Sequence, residues 1–354
     1  MVTRISLTTG VAKSSYPILI EQNFDGLAEI IPKNVSQIFV LSDSNVAPLF
    51  FDAVAAKLAK PIQLIQIEPG EQHKNLLTIE SIWQQLNDAD ADRAVLILNL
   101  GGGVVTDLGG FAAATYKRGI RFINLPTTLL AQVDAAIGGK TGINFAGLKN
   151  NIGTFTQPIG VYCNTVTLST LTDQIFAEGF GEIIKHAIIS ENTILHELEE
   201  NPFNKNDAEQ LARLVIKSIQ VKVNVVSQDE RETNLRKTLN FGHTFGHALE
   251  SQSHKNNTPL LHGEAVGLGM LAELHAANKP EILKIVQELL VKFNLPVKLD
   301  FKIDLDDFLA TLVGDKKNHS GYIQWVVPSK LGTVEIDKKL TEQQVKSALS
   351  WLQD

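Results

Sequence analysis

The sequence predicts an α/β domain built on a doubly wound parallel sheet, followed by a mainly α-helical domain. Three observations carry that expectation. Between residues 37 and 125 short apolar runs alternate with amphipathic stretches, the pattern of strand and crossover helix. Arg93–Leu100 (RAVLILNL) is apolar almost without alternation, as a strand buried on both faces requires. After about residue 165 the apolar spacing becomes helical, interrupted near the end by one short β segment. The expected domains are 1–165 and 166–354.

The elements follow in order. Residues 2–8 and 16–21 alternate apolar and polar and predict a hairpin flanking the sheet. Gln37–Leu41 is a short strand that ends in Ser42-Asp43-Ser44-Asn45. A helix over Ala47–Lys60, a strand over Pro61–Ile67 and a helix over Asn75–Asn87 come next. Arg93–Leu100 is closed by Gly101-Gly102-Gly103; Val104–Tyr116 then reads as a helix and Arg121–Leu125 as a strand. Leu129–Phe155 is glycine-rich with no regular period and reads as a long loop, a kind that in compact domains is usually functional. Helices are expected over Leu171–Ser190, Ala208–Ser227, Arg236–Ser251, His262–Lys279, Pro280–Phe293 and Phe301–Leu312. Gly321–Val327 and Thr333–Ile336 form the short β segment, and Thr341–Leu352 is the last helix.

Bulk properties narrow the function. The net charge of −7 argues against broad attraction to nucleic acid or membrane. No apolar run approaches the ~18 residues a membrane helix needs, and MVTRISLTTGVAK lacks the apolar core of a signal peptide. The single cysteine, Cys163, leaves no intrachain disulfide, so a reducing, cytoplasmic setting is expected.

The chemistry concentrates in Arg236–Met270. If Arg236–Ser251 is one helix, Arg236, Asn240, His243 and His247 fall four, three and four apart and share a face. Such a stripe makes a poor core and a poor solvent face, but a suitable wall for a charged ligand. His262 opens a second helix. Glu182 and Lys185 share a face of a third. Taken singly, each histidine reads first as a residue that caps or packs a helix. Taken jointly, Glu182, His243 and His262 form a two-imidazole, one-carboxylate set that suits Zn2+ with an open position.

The first half adds anion-binding candidates. Gly101-Gly102-Gly103 ends a strand and opens a helix; it either offers backbone N–H groups to a phosphate or makes a tight turn. Asp43 either accepts from ribose hydroxyls or forms a turn. In the glycine-rich stretch Asp134, Lys140, Asn144, Lys149 and Asn150 read as a phosphate or carboxylate cradle, or as a solvated loop. The cleft between the two expected domains is the natural place for a site.

Taken in order, GGGVVTDLGGFAAATYKRGI, LPTTLLAQVDAAIGGKTGIN, GLKNNIGTF, LNFGHTFGHALE and HGEAVGLGM resemble the 3-dehydroquinate synthase family, one of the sugar-phosphate cyclases, over nearly the whole chain. The resemblance implies a dehydroquinate synthase-like fold that binds NAD+ and a divalent metal, Zn2+ or Co2+. It implies Glu182, His243 and His262 as metal ligands. The implied nucleotide contacts are Asp43, Asn45, Glu71, Lys74, Gly102, Gly103, Val104, Asp107, Thr127 and Thr128, with Lys140 and Lys149. Thr170, Leu171 and Gln174 lie on the adenine side, where the chain departs from the family pattern: Asn164-Thr165-Val166-Thr167-Leu168 replaces an acidic residue and an aromatic-containing run. The implied substrate contacts are Arg118, Asp134, Lys140, Lys149, Asn150, Lys185, Lys222, Glu232, Arg236, Asn240 and His247, with Lys316 or Lys317.

The same resemblance implies an NAD-dependent lyase that converts 3-deoxy-D-arabino-heptulosonate 7-phosphate into 3-dehydroquinate and phosphate, a step of the shikimate pathway. It also implies a homodimer with Arg118 near the other subunit's site. The alternatives are a polyol dehydrogenase resembling the metal-dependent glycerol dehydrogenases, a cyclase for sedoheptulose 7-phosphate or a hexose phosphate, and a nucleotide-binding protein with a dead site. The many lysines and arginines argue against the dehydrogenase. The intact set Lys140, Arg236, Asn240, His243 and His247 argues against the dead site.

Overall fold

The computed structural model describes residues 3–9, 15–191, 193–313 and 323–354. Its strands are β1 (Thr3–Thr8), β2 (Ser15–Glu21), β3 (Ile38–Asp43), β4 (Ile62–Ile67), β5 (Leu96–Gly101), β6 (Arg121–Pro126), β7 (Lys140–Phe145), β8 (Leu148–Phe155), β9 (Gly160–Asn164), β10 (Trp325–Lys330) and β11 (Thr333–Lys338). Its helices are α1 (Ala47–Ala55), α2 (Leu76–Asp88), α3 (Gly103–Thr115), α4 (Asp173–Ile189), α5 (Ile194–Glu200), α6 (Ala208–Gln228), α7 (His243–Lys255), α8 (His262–Ala276), α9 (Pro280–Lys292), α10 (Leu305–Val313) and α11 (Glu342–Gln353). Two compact units result: residues up to Leu171 with Phe203–Glu230, and Thr172–Pro202 with Arg231–Asp354.

A single cut at residue 165 therefore needs correcting. α6 belongs to the first unit, because its apolar face (Leu211, Leu214, Val215, Ile219) is buried against residues 165–170, the turn at Ala131–Ala135 and β1. Helical spacing reveals that a face is buried, not which core receives it.

The first unit is organised on a seven-stranded sheet in the order β1-β2-β9-β6-β5-β3-β4. From β2 to β4 every neighbour is parallel, and only β1 runs antiparallel, against β2. β9 (GVYCN) is not expected from the sequence. On β5, Leu96, Leu98 and Leu100 join Leu19, Val40, Val54 and Ile123 in one core. Ile97 faces the other way, into a core with Phe39, Leu41, Ile79, Ile82 and Leu108. Burial on both faces explains the unbroken apolar run.

α3 crosses this sheet very closely. A Cβ at Gly109 would lie 1.8 Å from Asn99 Oδ1. Asn99 Nδ2 donates to Asn124 Oδ1 at 2.8 Å, and Asn124 Nδ2 donates to the Ala136 carbonyl at 2.9 Å. This buried amide chain ties the sheet to the segment after β6.

That segment is not the irregular loop the sequence suggests. Ala131–Ala135 forms one π-helical turn, a form often found at functional sites. β7 and β8 then pair antiparallel, from Lys140↔Phe155 to Phe145↔Leu148. Their turn, Ala146 (φ 53°) and Gly147 (φ 76°), has the two positive φ values of a type I′ hairpin. Gly142 and Gly153 serve the ladder: a Cβ on Gly153 would sit 2.2 Å from the Thr141 carbonyl oxygen.

The second unit packs around α8, which is buried along most of its length and touches α4, α7, α9 and α11. The expected helix over Arg236–Ser251 is broken. Leu235–Asn240 is a 3-10 turn, Gly242 takes φ +80°, and α7 starts at His243. Among the described residues no helix is long and apolar enough to cross a membrane.

Candidate active site

Three helices of the second unit bring the metal candidates together. α4 carries Glu182, α7 begins with His243, and α8 begins with His262. Close glycine contacts set these crossings. A Cβ on Gly181 would lie 2.4 Å from the Gly263 carbonyl oxygen, and one on Gly269 would lie 2.0 Å from that of Gly242. With backbones this near, one ligand atom from each of Glu182, His243 and His262 falls within 4.8 Å of the others. Glu182 Oε1 lies 3.4 Å from His243 Nε2 and 3.6 Å from His262 Nε2. Glu182 is fully buried and its other oxygen, Oε2, contacts Lys185 Nζ. Two imidazole nitrogens and a buried carboxylate fit a divalent ion that keeps positions open for a ligand.

His247 is one turn along α7, its ring 5.3 Å from that of His243 and 6.0 Å from that of His262. Glu250, also on α7, puts Oε2 3.7 Å from His262 Nδ1. His262 thus sits between two carboxylates. Burial pulls its pKa down, but the two flanking carboxylates of Glu182 and Glu250 outweigh burial and the pKa is pushed up to about 10. Burial pushes the carboxyl of Glu178 on α4 up to about 7, against the opposing pull of His262 and the Gly263 N–H.

The break before α7 moves Arg236 and Asn240 off the histidine helix. The four do not share one helical face, because Gly242 turns the chain between them. Arg236 is buried on the 3-10 turn, and Asn240 Nδ2 donates to Glu232 Oε1 at 2.5 Å. Gln174, on α4, donates to Glu264 Oε1 at 3.0 Å. Lys316 and Lys317 lie outside the described residues.

The first unit gathers a separate set. Gly102 is the N-cap of α3, and Gly103 and Val104 form its first turn, so N–H groups point outward there. The buried Thr127 Oγ1 has no hydrogen-bond partner among the described residues, and Thr128 Oγ1 accepts from Ala131 N. A helix N-terminus beside an orphaned buried hydroxyl fits a nucleotide phosphate. Lys74 Nζ bridges Asp107 Oδ2 and Asn150 Oδ1, each at 2.5 Å. Burial raises the Asp107 pKa, and Lys74 opposes that rise. Glu71 Oε1 accepts from Asn144 at 2.9 Å and lies 3.8 Å from Lys149. Lys222, on α6, donates to Asp134 Oδ1 at 2.6 Å. Asp43 is a turn former: its Oδ1 accepts from Asn45 N and Val46 N. Thr170 Oγ1 donates to the Thr167 carbonyl, the Leu171 N–H to that of Leu168. Lys140 is exposed at the start of β7.

Backbone strain marks several of these positions. Among described residues other than Gly, Asn and Asp, φ is positive at Lys117, Arg118, Ala146 and Glu232. Ala146 belongs to the hairpin turn. Arg118 (φ 68°) and Glu232 (φ 60°) are site candidates, and so is Asn150 (φ 49°). Strain held by its surroundings clusters at functional sites.

The family model for the 3-dehydroquinate synthase N-terminal region matches residues 64–178, and the one for its C-terminal region matches residues 179–318. The chain belongs to the 3-dehydroquinate synthase family. A 3-dehydroquinate synthase of Dichelobacter nodosus (strain VCS1703A) is 38% identical over 358 residues, covering 98% of this chain and 96% of the relative. One of Campylobacter jejuni (strain RM1221) is 40% identical over 326 residues, covering 89% and 92%. Among solved structures, 2-epi-5-epi-valiolone synthase from Streptomyces hygroscopicus subsp. jinggangensis 5008, with NAD+ and Zn2+ bound, superposes with a TM-score of 0.85 at 25% identity, covering 97% and 98%.

Two acidic residues beside the metal candidates of this 3-dehydroquinate synthase family member escape a sequence reading centred on histidine. Glu250 had a signal, since it continues the spacing His243, His247, Glu250 along α7. Glu273 had none, because its partners are two backbone N–H groups on another helix.

Proposed function

We propose that the chain is a 3-dehydroquinate synthase in activity, converting 3-deoxy-D-arabino-heptulosonate 7-phosphate into 3-dehydroquinate and phosphate. Family membership sets the reaction class, an NAD- and divalent-metal-dependent lyase of the shikimate pathway. The observation that carries the reading is the convergence of Glu182, His243 and His262 within 4.8 Å, beside the buried cation of Lys185.

When bound, NAD+ supplies a reversible oxidation of a substrate alcohol, and Zn2+ or Co2+ supplies a Lewis acid that makes that alcohol easier to ionise. Glu182, His243 and His262 would hold the ion. Lys185, lodged against Glu182 Oε2, keeps the carboxylate oriented. Gly102, Gly103 and Val104 would meet the dinucleotide phosphates with backbone N–H groups, with Asp43, Asn45, Glu71, Lys74, Asp107, Thr127 and Thr128 around them. Thr170, Leu171 and Gln174 would lie on the adenine side.

The substrate phosphate falls to Lys140, Lys149 and Asn150. The bond from Lys74 fixes the strained Asn150, so little ordering remains at binding. Arg236 would grip the substrate carboxylate with two parallel donors, and Asn240 a neighbouring hydroxyl. His247 can hold or release a proton during elimination and ring closure. Asp134, Lys222 and Glu232 position these groups. A homodimer, to which Arg118 is presented on its strained turn, belongs to the same reading, as does a cytoplasmic location.

The test is to mix the protein with the heptulosonate phosphate, Zn2+ or Co2+, and trace NAD+. Phosphate should be released with no net NADH, because the hydride is returned within each turnover. Steady NADH production from a polyol without phosphate release overturns the reading in favour of a dehydrogenase.

A further inference from the structure

We propose that Glu273 is a positioning residue for the metal site: one carboxylate on α8 caps the helix that carries His243 and so holds two ligand-bearing helices in register. The inference rests on the metal reading above. Its observations are geometric. Glu273 is completely buried. Its Oε2 accepts from the Gly242 N–H at 2.8 Å, and its Oε1 accepts from the Phe245 N–H at 3.3 Å.

Those two groups are the N-cap and the third residue of α7. In a self-capped helix, a Ser, Thr, Asp or Asn at the N-cap satisfies the third residue's N–H, and a Glu or Gln at that third residue reaches back to the N-cap N–H. α7 can use neither. Its N-cap must be glycine, because φ is +80° and a Cβ there would lie 2.7 Å from the Val266 carbonyl oxygen. Its third residue is Phe245. Glu273 performs both halves of the box from the neighbouring helix. Its negative charge also meets the positive end of the α7 dipole.

His243, with Thr244, lies between the two clamped N–H groups. The helix bearing the clamp also begins with the ligand His262, which has a capping carboxylate of its own: Glu264 Oε2 accepts from Leu261 N at 2.8 Å. Glu273 therefore joins the start of α7 to the body of α8, and the separation of the two imidazoles depends on that join.

The test compares Co2+ binding to metal-free wild-type, Glu273→Gln and Glu273→Asp proteins, read by the absorbance of bound Co2+, with unfolding by urea recorded in parallel. Glutamine keeps one acceptor of two, and aspartate keeps the charge but falls one methylene short. Folded Glu273→Gln should bind Co2+ at least about 10-fold more weakly, the scale seen when a group that orients a metal ligand is lost. Excess Co2+ should restore much of kcat, a split that general damage would not produce. Glu21→Gln is the control: Glu21 is a buried carboxylate of the first unit that accepts from Tyr162 and Gly26, so its loss should lower stability and leave Co2+ affinity unchanged. Wild-type affinity in folded Glu273→Gln overturns the proposal; should that variant not fold, wild-type affinity in Glu273→Asp overturns it equally. If wild-type protein binds no metal, the metal reading itself fails, a separate outcome.

Discussion

Gly263, the residue after His262, packs directly on the backbone of Glu178, so closely that a Cβ on Gly263 would come within 1.8 Å of the Glu178 carbonyl oxygen. One turn further along α4 stands Glu182. The contact between the two backbones thus sets how far His262 can be from the carboxylate it shares with His243. Gly263→Ala must push α4 and α8 apart. The expected cost is about 1–3 kcal/mol of stability, as for other overpacked contacts. Metal content should fall by more in proportion than stability does. Urea unfolding with elemental analysis of the same preparation measures both, and full metal content in a destabilised variant would remove the crossing from the account of the site.

Loss of a ligand should be more specific. His243→Ala and His262→Ala are expected to fold, to lose bound divalent metal and to lose turnover. Elemental analysis of the purified variants decides; retained metal with retained activity would take both histidines off the ligand set.

The site should also couple metal binding to pH. Without metal the pKa of His262 is pushed up to about 10, so at pH 7.5 the imidazole carries a proton that metal binding must displace. Metal affinity should rise with pH up to that value, with about one proton released per ion near pH 7.5. Calorimetry in two buffers of different ionisation heat counts the proton. In the metal-free protein the sign is opposite. A folded pKa above the unfolded one stabilises fully below the ordinary histidine pKa of about 6.5. That stabilisation is lost as the pH rises from there towards 10. His262→Ala should flatten this part of the stability curve, and an unchanged slope would refute the assignment.

Lys74 is buried between Asp107 and Asn150, so its removal strands a carboxylate whose pKa burial already raises. Lys74→Met should cost on the order of 3 kcal/mol, as for a broken buried pair. Lys74→Met with Asp107→Leu should recover much of that loss but not NAD+ affinity. Urea midpoints and a binding titration separate the two effects. Normal NAD+ binding by the double variant would show the pair to be structural only.

Arg236 bears on substrate identity. The heptulosonate carries a carboxylate where sedoheptulose 7-phosphate has a neutral hydroxymethyl group. Two parallel guanidinium donors bond a carboxylate more strongly than they bond a neutral hydroxyl. Wild-type protein should release phosphate from the heptulosonate and little from the neutral sugar, and Arg236→Met should lose most of that preference, at least about tenfold. Comparable release from both sugars by unmodified protein would leave only the wider cyclase family.

Much of this was legible in local sequence. Period and composition report burial, so the parallel sheet, the glycine turn after β5 and the helices around His262 could be read directly. Residue chemistry alone nominated Glu182, His243 and His262, since few other patterns put two imidazoles and a carboxylate at the starts or faces of helices. Lys316 and Lys317 rest on family likeness alone.

The rest depends on contacts between residues far apart in the chain, which no local period records. The glycines of Leu129–Phe155 look like a loop because their use, the near contact of Gly142 with Gly153 across a ladder, needs the paired strand to be seen. Arg236–Ser251 has helical spacing throughout, yet breaks at Gly242 because α8 lies against it and Glu273, 31 residues away, caps the helix that starts at His243. α6 reads as one more helix of the second half, but its apolar face is buried in the first unit. Sequence names the groups that can bind a metal; the close backbone crossings of α4, α7 and α8 bring Glu182, His243 and His262 together, because helices packed at glycine contacts draw residues far apart in the chain that near.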